Sequence, residues 1–216
     1  MIKASNLYYS YGKINVLKDI NLEIKKGEFV CIVGDSGAGK TTLLQLLGTL
    51  ERIQKGTVEI NGTIINNLKS NKLAHLRNKE IGFIFQFHNL LSEFTALENI
   101  MLPGLINGNS NKEVKEKAIK LLNELKLSKR SNHYPDELSG GEKQRIAVAR
   151  SLINSPSIIF ADEPSGNLDS KSANDLHKLL HFLNKKNKQT LVVITHNNKL
   201  AEQADRIIKI QDGKII

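Results

Sequence analysis

A single cysteine, the lack of any long apolar run and the lack of a dense basic block set the first limits on this 216-residue chain. Cys31 stands alone inside an apolar stretch, so neither a disulfide framework nor a cysteine-based metal cluster is available. No hydrophobic run approaches the roughly 20 residues that a membrane-spanning helix requires. The start, Met1-Ile2-Lys3-Ala4-Ser5-Asn6, lacks the pattern of a signal peptide. The chain is therefore expected to be cytosolic and to do any membrane work through a partner. The net charge is +9, from 31 Lys and Arg against 22 Asp and Glu. With no aromatic-interleaved basic stripe, that surplus reads as a lysine-rich solvated surface and not as a nucleic-acid footprint. Internal repeats and low-complexity linkers are also missing.

What is present is ordinary in bulk, with 40% hydrophobic and 25% charged residues, and it suits one α/β domain or a core with a small inserted lobe. The stretch that organises the chain is Gly34-Asp35-Ser36-Gly37-Ala38-Gly39-Lys40-Thr41-Thr42, which fits G-x-x-x-x-G-K-[ST]. It follows the apolar run Phe29–Val33 and leads into Leu43-Leu44-Gln45-Leu46-Leu47. Strand, glycine loop and helix form the context in which successive backbone N–H groups can face an anion, helped by the helix N-terminus. Lys40 suits the β- and γ-phosphates of a nucleotide and the Thr41 hydroxyl suits Mg²⁺. The plain alternative is a glycine-rich turn with a chance lysine.

Upstream, residues 2–9 and 14–24 read as strands around a turn at Ser10–Lys13, and the alternation in Val16–Ile24 predicts an antiparallel layer with one solvated face. Tyr11, placed in that turn, is an aromatic able to stack on a purine. Downstream, Asn61-Gly62 turns a hairpin within 56–65, and this reading outweighs the glycosylation sequon formed with Thr63. A short polar helix is expected over 70–79 and a buried strand over 81–85, with Gln86 at its end. Helices over 95–107 and 111–127 begin an inserted helical lobe of about 87–154, between core segments of about 1–86 and 155–216. A strand at 157–161, a helix over about 170–186, a strand at 190–194, a short helix at about 198–203 and a final strand pair around Asp212-Gly213 complete the chain.

Two carboxylates, Asp162 and Glu163, close the apolar strand at 157–161. At a strand tip beside a phosphate loop, Asp162 suits Mg²⁺, directly or through water, and Glu163 suits a water aimed at the γ-phosphate. Gln86 at another strand tip can touch the metal or that water, and His196 after the strand at 190–194 can bond the γ-phosphate. His177 and His181, spaced i, i+4 without a paired acidic motif, are expected on the surface. The segment Leu138-Ser139-Gly140-Gly141-Glu142-Lys143-Gln144-Arg145 places Ser139, Gly140 and Gly141 at a helix start, a second site for an anion. One nucleotide does not need two such sites in one chain. Two copies facing head to tail would use both.

With these residues the chain resembles the nucleotide-binding subunits of ABC transporters, over essentially its whole length. The family's phosphate loop, Gln loop, Leu-Ser-Gly-Gly signature, second Walker motif and histidine switch occur in order. Its D-loop corresponds to Ser165-Gly166-Asn167-Leu168-Asp169 and its adenine-stacking aromatic to Tyr11. The resemblance implies an α/β P-loop fold: a mainly parallel sheet core, an N-terminal antiparallel β layer and an inserted helical lobe. It also implies ATP and Mg²⁺ as ligands, a homodimer closing on ATP, and a membrane permease docking near the Gln loop.

Gly82–Leu91, Glu93–Ile100 and Glu163–Asp169 are further similar to the group of lipoprotein-releasing, macrolide-exporting and cell-division ATPases, and among these to the first. That implies LolC/LolE-like permease subunits docking near residues 86–103, and a peripheral position on the inner membrane. Phe87, Leu90, Leu91 and Phe94 are read as partly lobe core and partly a groove for the permease. Two residues depart from the usual pattern: Asn197 stands where Asp commonly follows the switch histidine, and Ser165 where Thr commonly opens the D-loop. A soluble relative acting on ribosomes or DNA would carry a second cassette or a long heptad array, and neither is present. A GTPase reading lacks Asn-Lys-x-Asp. A division ATPase that moves no cargo, or an ATPase of the macrolide-exporter kind, remains the alternative.

Overall fold

The computed structural model describes all 216 residues, and the chain gathers into two compact units, Met1–Arg77 with His181–Ile216, and Asn78–Leu180. Elements follow in the order β1 (Ile2–Tyr11), β2 (Ile14–Ile24), β3 (Phe29–Val33), α1 (Lys40–Leu47), β4 (Lys55–Ile60), β5 (Thr63–Ile64), α2 (Ser70–Glu80), β6 (Ile81–Phe85), α3 (Ala96–Ile106) and α4 (Asn111–Glu124). After them come α5 (Gly140–Leu152), β7 (Ile158–Asp162), α6 (Ser170–Asn187), β8 (Thr190–Ile194), α7 (Asn198–Ala201), β9 (Arg206–Gln211) and β10 (Lys214–Ile215).

In the first unit, β2, β1, β4 and β5 form an antiparallel sheet in that spatial order. The alternating burial of β2 leaves one face in solvent, as the alternating sequence predicts. Asn61 and Gly62 both take positive φ, 51° and 80°, which is what a two-residue hairpin between right-twisted strands demands. In a second layer β3 pairs in parallel with both β8 and β9, and β9 turns back into β10. Phe29, Val30, Cys31 and Ile32 are wholly buried there, so both faces of β3 are covered and its sequence is apolar throughout.

In the second unit β6 pairs in parallel with β7 from Ile81↔Ile158 to Phe85↔Asp162. Helices α3, α4 and α5 share a core that includes Ile100, Val114, Ala118, Leu122, Ile146 and Ile153. Gly104 lets α3 and α4 approach closely, since a Cβ there would lie 2.8 Å from Val114 Cγ1. Thr95, Ser110 and Ser139 begin α3, α4 and α5, each in a reciprocal capping box with the Glu three residues on. The compact unit is wider than the expected helical lobe, because β6 and β7 cluster with the helices.

Candidate nucleotide site

The phosphate loop lies in the first unit, between β3 and α1. Gly34, Gly37 and Gly39 have φ of 151°, 78° and 101°, which a side chain would strain. Gly34 has a second constraint, for a Cβ would stand 2.1 Å from the Ile210 carbonyl oxygen. The loop is therefore pressed against β9, and the Gly213 N–H donates to the Ala38 carbonyl at 3.2 Å. Gly39 caps α1 without a side chain, and the first turn holds no acidic residue, so the helix end keeps its positive character. Lys40 is 7% exposed; its Nζ donates to the carbonyls of Gly34 at 2.9 Å and Asp35 at 2.7 Å, and so lies within the loop's curl. Thr41 is exposed and Thr42 buried.

Tyr11 is the last residue of β1, not a loop residue as expected; its ring is 48% exposed and meets Tyr9 edge-on at 5.0 Å. His196, also in this unit, is exposed just beyond β8. Asn197 caps α7, its side chain accepting from the Leu200 N–H at 3.2 Å. Asn does this as well as Asp does, so the departure from the usual residue leaves that turn intact.

The second unit brings together three segments that are far apart in sequence: Gln86, Ser139–Gly141 and the stretch from Asp162 through the D-loop. Asp162 ends β7, and Glu163 follows with φ 44°, an uncommon conformation for a residue with a side chain. Gln86 ends up on the D-loop: Nε2 donates to Asn167 Oδ1 at 3.0 Å, and a Cβ on Gly166 would lie 2.8 Å from the same nitrogen. Gly140 faces Leu168 of the same loop. A Cβ on Gly141 would lie 2.7 Å from Ser172 Oγ, so this glycine is needed for packing.

Ser139 is more engaged than an open anion site would require. Its hydroxyl accepts from Glu142 N–H at 3.3 Å and donates to Glu142 Oε2 at 3.0 Å, while its own N–H donates to the same carboxylate at 2.9 Å. Gly140 and Gly141, as the first two residues of α5, carry the N–H groups with no acceptor inside the helix. Burial alone would raise the pKa of Glu142, but hydrogen bonds from Arg130 and Ser139 outweigh it and hold the carboxyl at about 2.

Several contributing residues are given no part by the sequence motifs. Gln144, fully buried on α5, donates to the Phe85 carbonyl at 3.2 Å. Arg150 donates to the carbonyls of Asn89 at 2.6 Å and His88 at 2.8 Å. Asn99 is 0% exposed; its amide donates to Leu91, Phe94 and Thr95 carbonyls, and its oxygen accepts from the Leu91 N–H. Together they hold residues 85–95 by the backbone, with Phe87 at 69% and Leu91 at 45% exposure while Leu90 packs on the helical core. The core part of the expected reading thus holds for Leu90, and Phe87 and Leu91 face outward. The expectation that His177 is a surface residue is overturned: it is 3% exposed, with Nε2 2.9 Å from Ser165 Oγ. His181 is half-buried.

A glycine phosphate loop on a parallel sheet and a serine-glycine helix start beside a D-loop define a P-loop nucleotide-binding protein of cassette type. Comparison with known proteins agrees. The family model described as ABC transporter matches residues 17–166, and the chain belongs to that family. It is 54% identical over 215 residues to the lipoprotein-releasing system ATP-binding protein LolD of Bacteroides thetaiotaomicron, covering 100% of this chain and 99% of the relative. It is 54% identical over 213 residues to the LolD of Porphyromonas gingivalis, covering 99% and 97%. Among solved structures, the dimeric post-hydrolysis state of the ATP-binding cassette MJ0796 bound to ADP and Pi matches with a TM-score of 0.90 and 41% identity, covering 100% of this chain and 96% of that one. The chain is thus an ATP-hydrolysing subunit of a transporter.

Proposed function

We propose that two copies of this chain close on two ATP molecules and drive a membrane permease that releases lipoproteins from the inner membrane. The observation that supports this most is likeness along the entire chain, at 54% identity, to proteins named for lipoprotein release. The first unit contributes the loop amides of Gly34, Asp35, Ser36, Gly37, Ala38 and Gly39, the Lys40 ammonium, Thr41, Thr42, the Tyr11 ring and His196. The second unit contributes Gln86, Asp162 and Glu163, and offers Ser139, Gly140 and Gly141 to the ATP of the other copy. Glu163 accepts a proton from the attacking water as general base. His196 bonds the γ-phosphate, and Tyr11 stacks on adenine.

Each unit carries oxygen donors of the kind taken by Mg²⁺, a hard cation that keeps waters and takes few protein oxygens: in the first the exposed Thr41 hydroxyl, in the second the Asp162 carboxylate at the end of β7 and the Gln86 amide oxygen. When bound it supplies charge to balance that building on the phosphate oxygens. The held segment after Gln86, with Phe87 and Leu91 outward, is the surface for permease subunits of the LolC/LolE kind within about residues 86–103. No helix of the chain is long and apolar enough to cross a membrane, and the permease provides the attachment to its cytoplasmic face. The test is reconstitution with the co-purifying membrane proteins in lipid vesicles. ATP-dependent release of an acylated protein to a soluble acceptor is expected. A stable complex that hydrolyses ATP without any release would instead assign the chain to the division or macrolide-export branches.

A further inference from the structure

Neither Ser165 nor His177 has a part in the nucleotide chemistry assigned so far, yet both are buried, at 9% and 3% exposure, and their Oγ and Nε2 are 2.9 Å apart. Burial lowers the pKa of His177, so the ring is neutral at neutral pH. A buried polar ring needs a partner, and here it is the first residue of the D-loop.

That loop is short and constrained. Only Pro164, with its fixed φ, separates Ser165 from Glu163. The Gly166 N–H donates back to the Glu163 carbonyl at 3.0 Å. Glu163 itself has φ 44°, a conformation that persists only when its surroundings hold it. On the far side of Gly166, Asn167 is tied to Gln86 at 3.0 Å. The turn is thus clamped at Ser165 by α6 and at Asn167 by the end of β6.

We infer that His177 is a positioning residue for ATP hydrolysis: through Ser165 it holds the Glu163 backbone in its left-handed conformation and so aims the carboxylate. His177 touches no nucleotide. The tie needs only a hydroxyl at 165, which both Ser and Thr provide. This inference rests on Glu163 acting as the general base.

The experiment is steady-state ATPase kinetics on the purified subunit with thermal melts of each variant. Ser165→Ala and His177→Leu should each lower kcat by about three- to tenfold, the factor associated with one hydrogen bond, with KM for MgATP nearly unchanged. The double variant should be no slower than the slower single, because both remove one interaction. Ser165→Thr and His177→Gln, which keep a bonding partner, should recover most of the rate. If His177→Leu melts below the assay temperature, Ser165→Ala, a loop substitution, carries the test. An unchanged kcat in Ser165→Ala, multiplying losses in the double variant, or a rise in KM alone would overturn the inference. Glu163→Gln is run beside them: if it is inactive while Ser165→Ala is normal, only the positioning role fails. Near-normal turnover in Glu163→Gln would remove the general-base assignment beneath it.

Discussion

Gln86 holds Asn167: the side-chain amide at the end of β6 donates to the D-loop asparagine at 3.0 Å. Through this bond the segment with outward Phe87 and Leu91 is connected to the loop that follows Glu163. Movement at the exposed end therefore has a covalent and hydrogen-bonded route to the carboxylate, entirely within one compact unit.

Arg150 ties down the start of that segment. Its guanidinium bonds two main-chain carbonyls, those of His88 and Asn89. Arg150→Ala should destabilise the protein by about 1–3 kcal/mol, the cost of stranding such acceptors. Urea unfolding measures this directly. Limited proteolysis of the folded variant should cut sooner within residues 86–95 than the parent does, and Arg150→Lys should restore only part of the protection.

Gly34 and Gly62 both have positive φ, but their surroundings differ. A Cβ on Gly34 would stand 2.1 Å from a backbone oxygen, whereas nothing lies within 4 Å of one on Gly62. Gly62→Ala should cost only about 1 kcal/mol, for the turn conformation alone. Gly34→Ala should cost at least about 3 kcal/mol or prevent folding, since the Ile210 backbone would have to move. Denaturation midpoints compare the two.

Glu142 gives the protein an acid limit. Its carboxyl is depressed from 4.5 to about 2 by Arg130 and Ser139 against the opposing effect of burial. A depressed folded-state pKa contributes stability that is complete above the unfolded value and is lost as pH falls through the folded one. The contribution therefore declines between about pH 4.5 and about pH 2. Glu142→Gln should flatten that part of a melting-temperature profile and leave the neutral range with a constant offset. An unchanged acid slope would show that the carboxyl is not held by these partners.

Cys31 should be inert while the protein is folded. It is completely buried on β3, and burial pushes its thiol up to about 12, so almost no thiolate exists at neutral pH. A disulfide reagent should titrate one thiol in denaturant and essentially none in buffer.

The parts of the site that sequence makes legible are those whose chemistry depends on consecutive residues. The spacing of Gly34, Gly39, Lys40 and Thr41 between an apolar strand and a helix is local information. So is the Thr95, Ser110 and Ser139 pattern of helix starts, each with Glu three residues on. The alternation in β2 and the unbroken apolar runs of β3 and β8 report their one- or two-sided burial. Gln144, Asn99, Arg150 and His177 stayed hidden because their partners are main-chain carbonyls or a lone hydroxyl between 8 and 62 residues away in sequence, except for the closer contacts of Asn99. For His177 the i, i+4 spacing with His181 was uninformative. A helix face is polar in sequence whether it meets water or a buried hydroxyl, and only the packing of the D-loop against α6 decides which.

The central claim is that two copies share each ATP, one supplying the phosphate loop and the other the helix start at Ser139–Gly141. Sedimentation of the Glu163→Gln variant with MgATP tests it most directly. With turnover lowered by about 10²–10⁴-fold, as expected for a lost general base, ATP should double the sedimenting mass. Adding Ser139→Arg should return a monomer that still binds ATP. A Glu163→Gln protein that stays monomeric with ATP, or a dimer indifferent to Ser139→Arg, would contradict it.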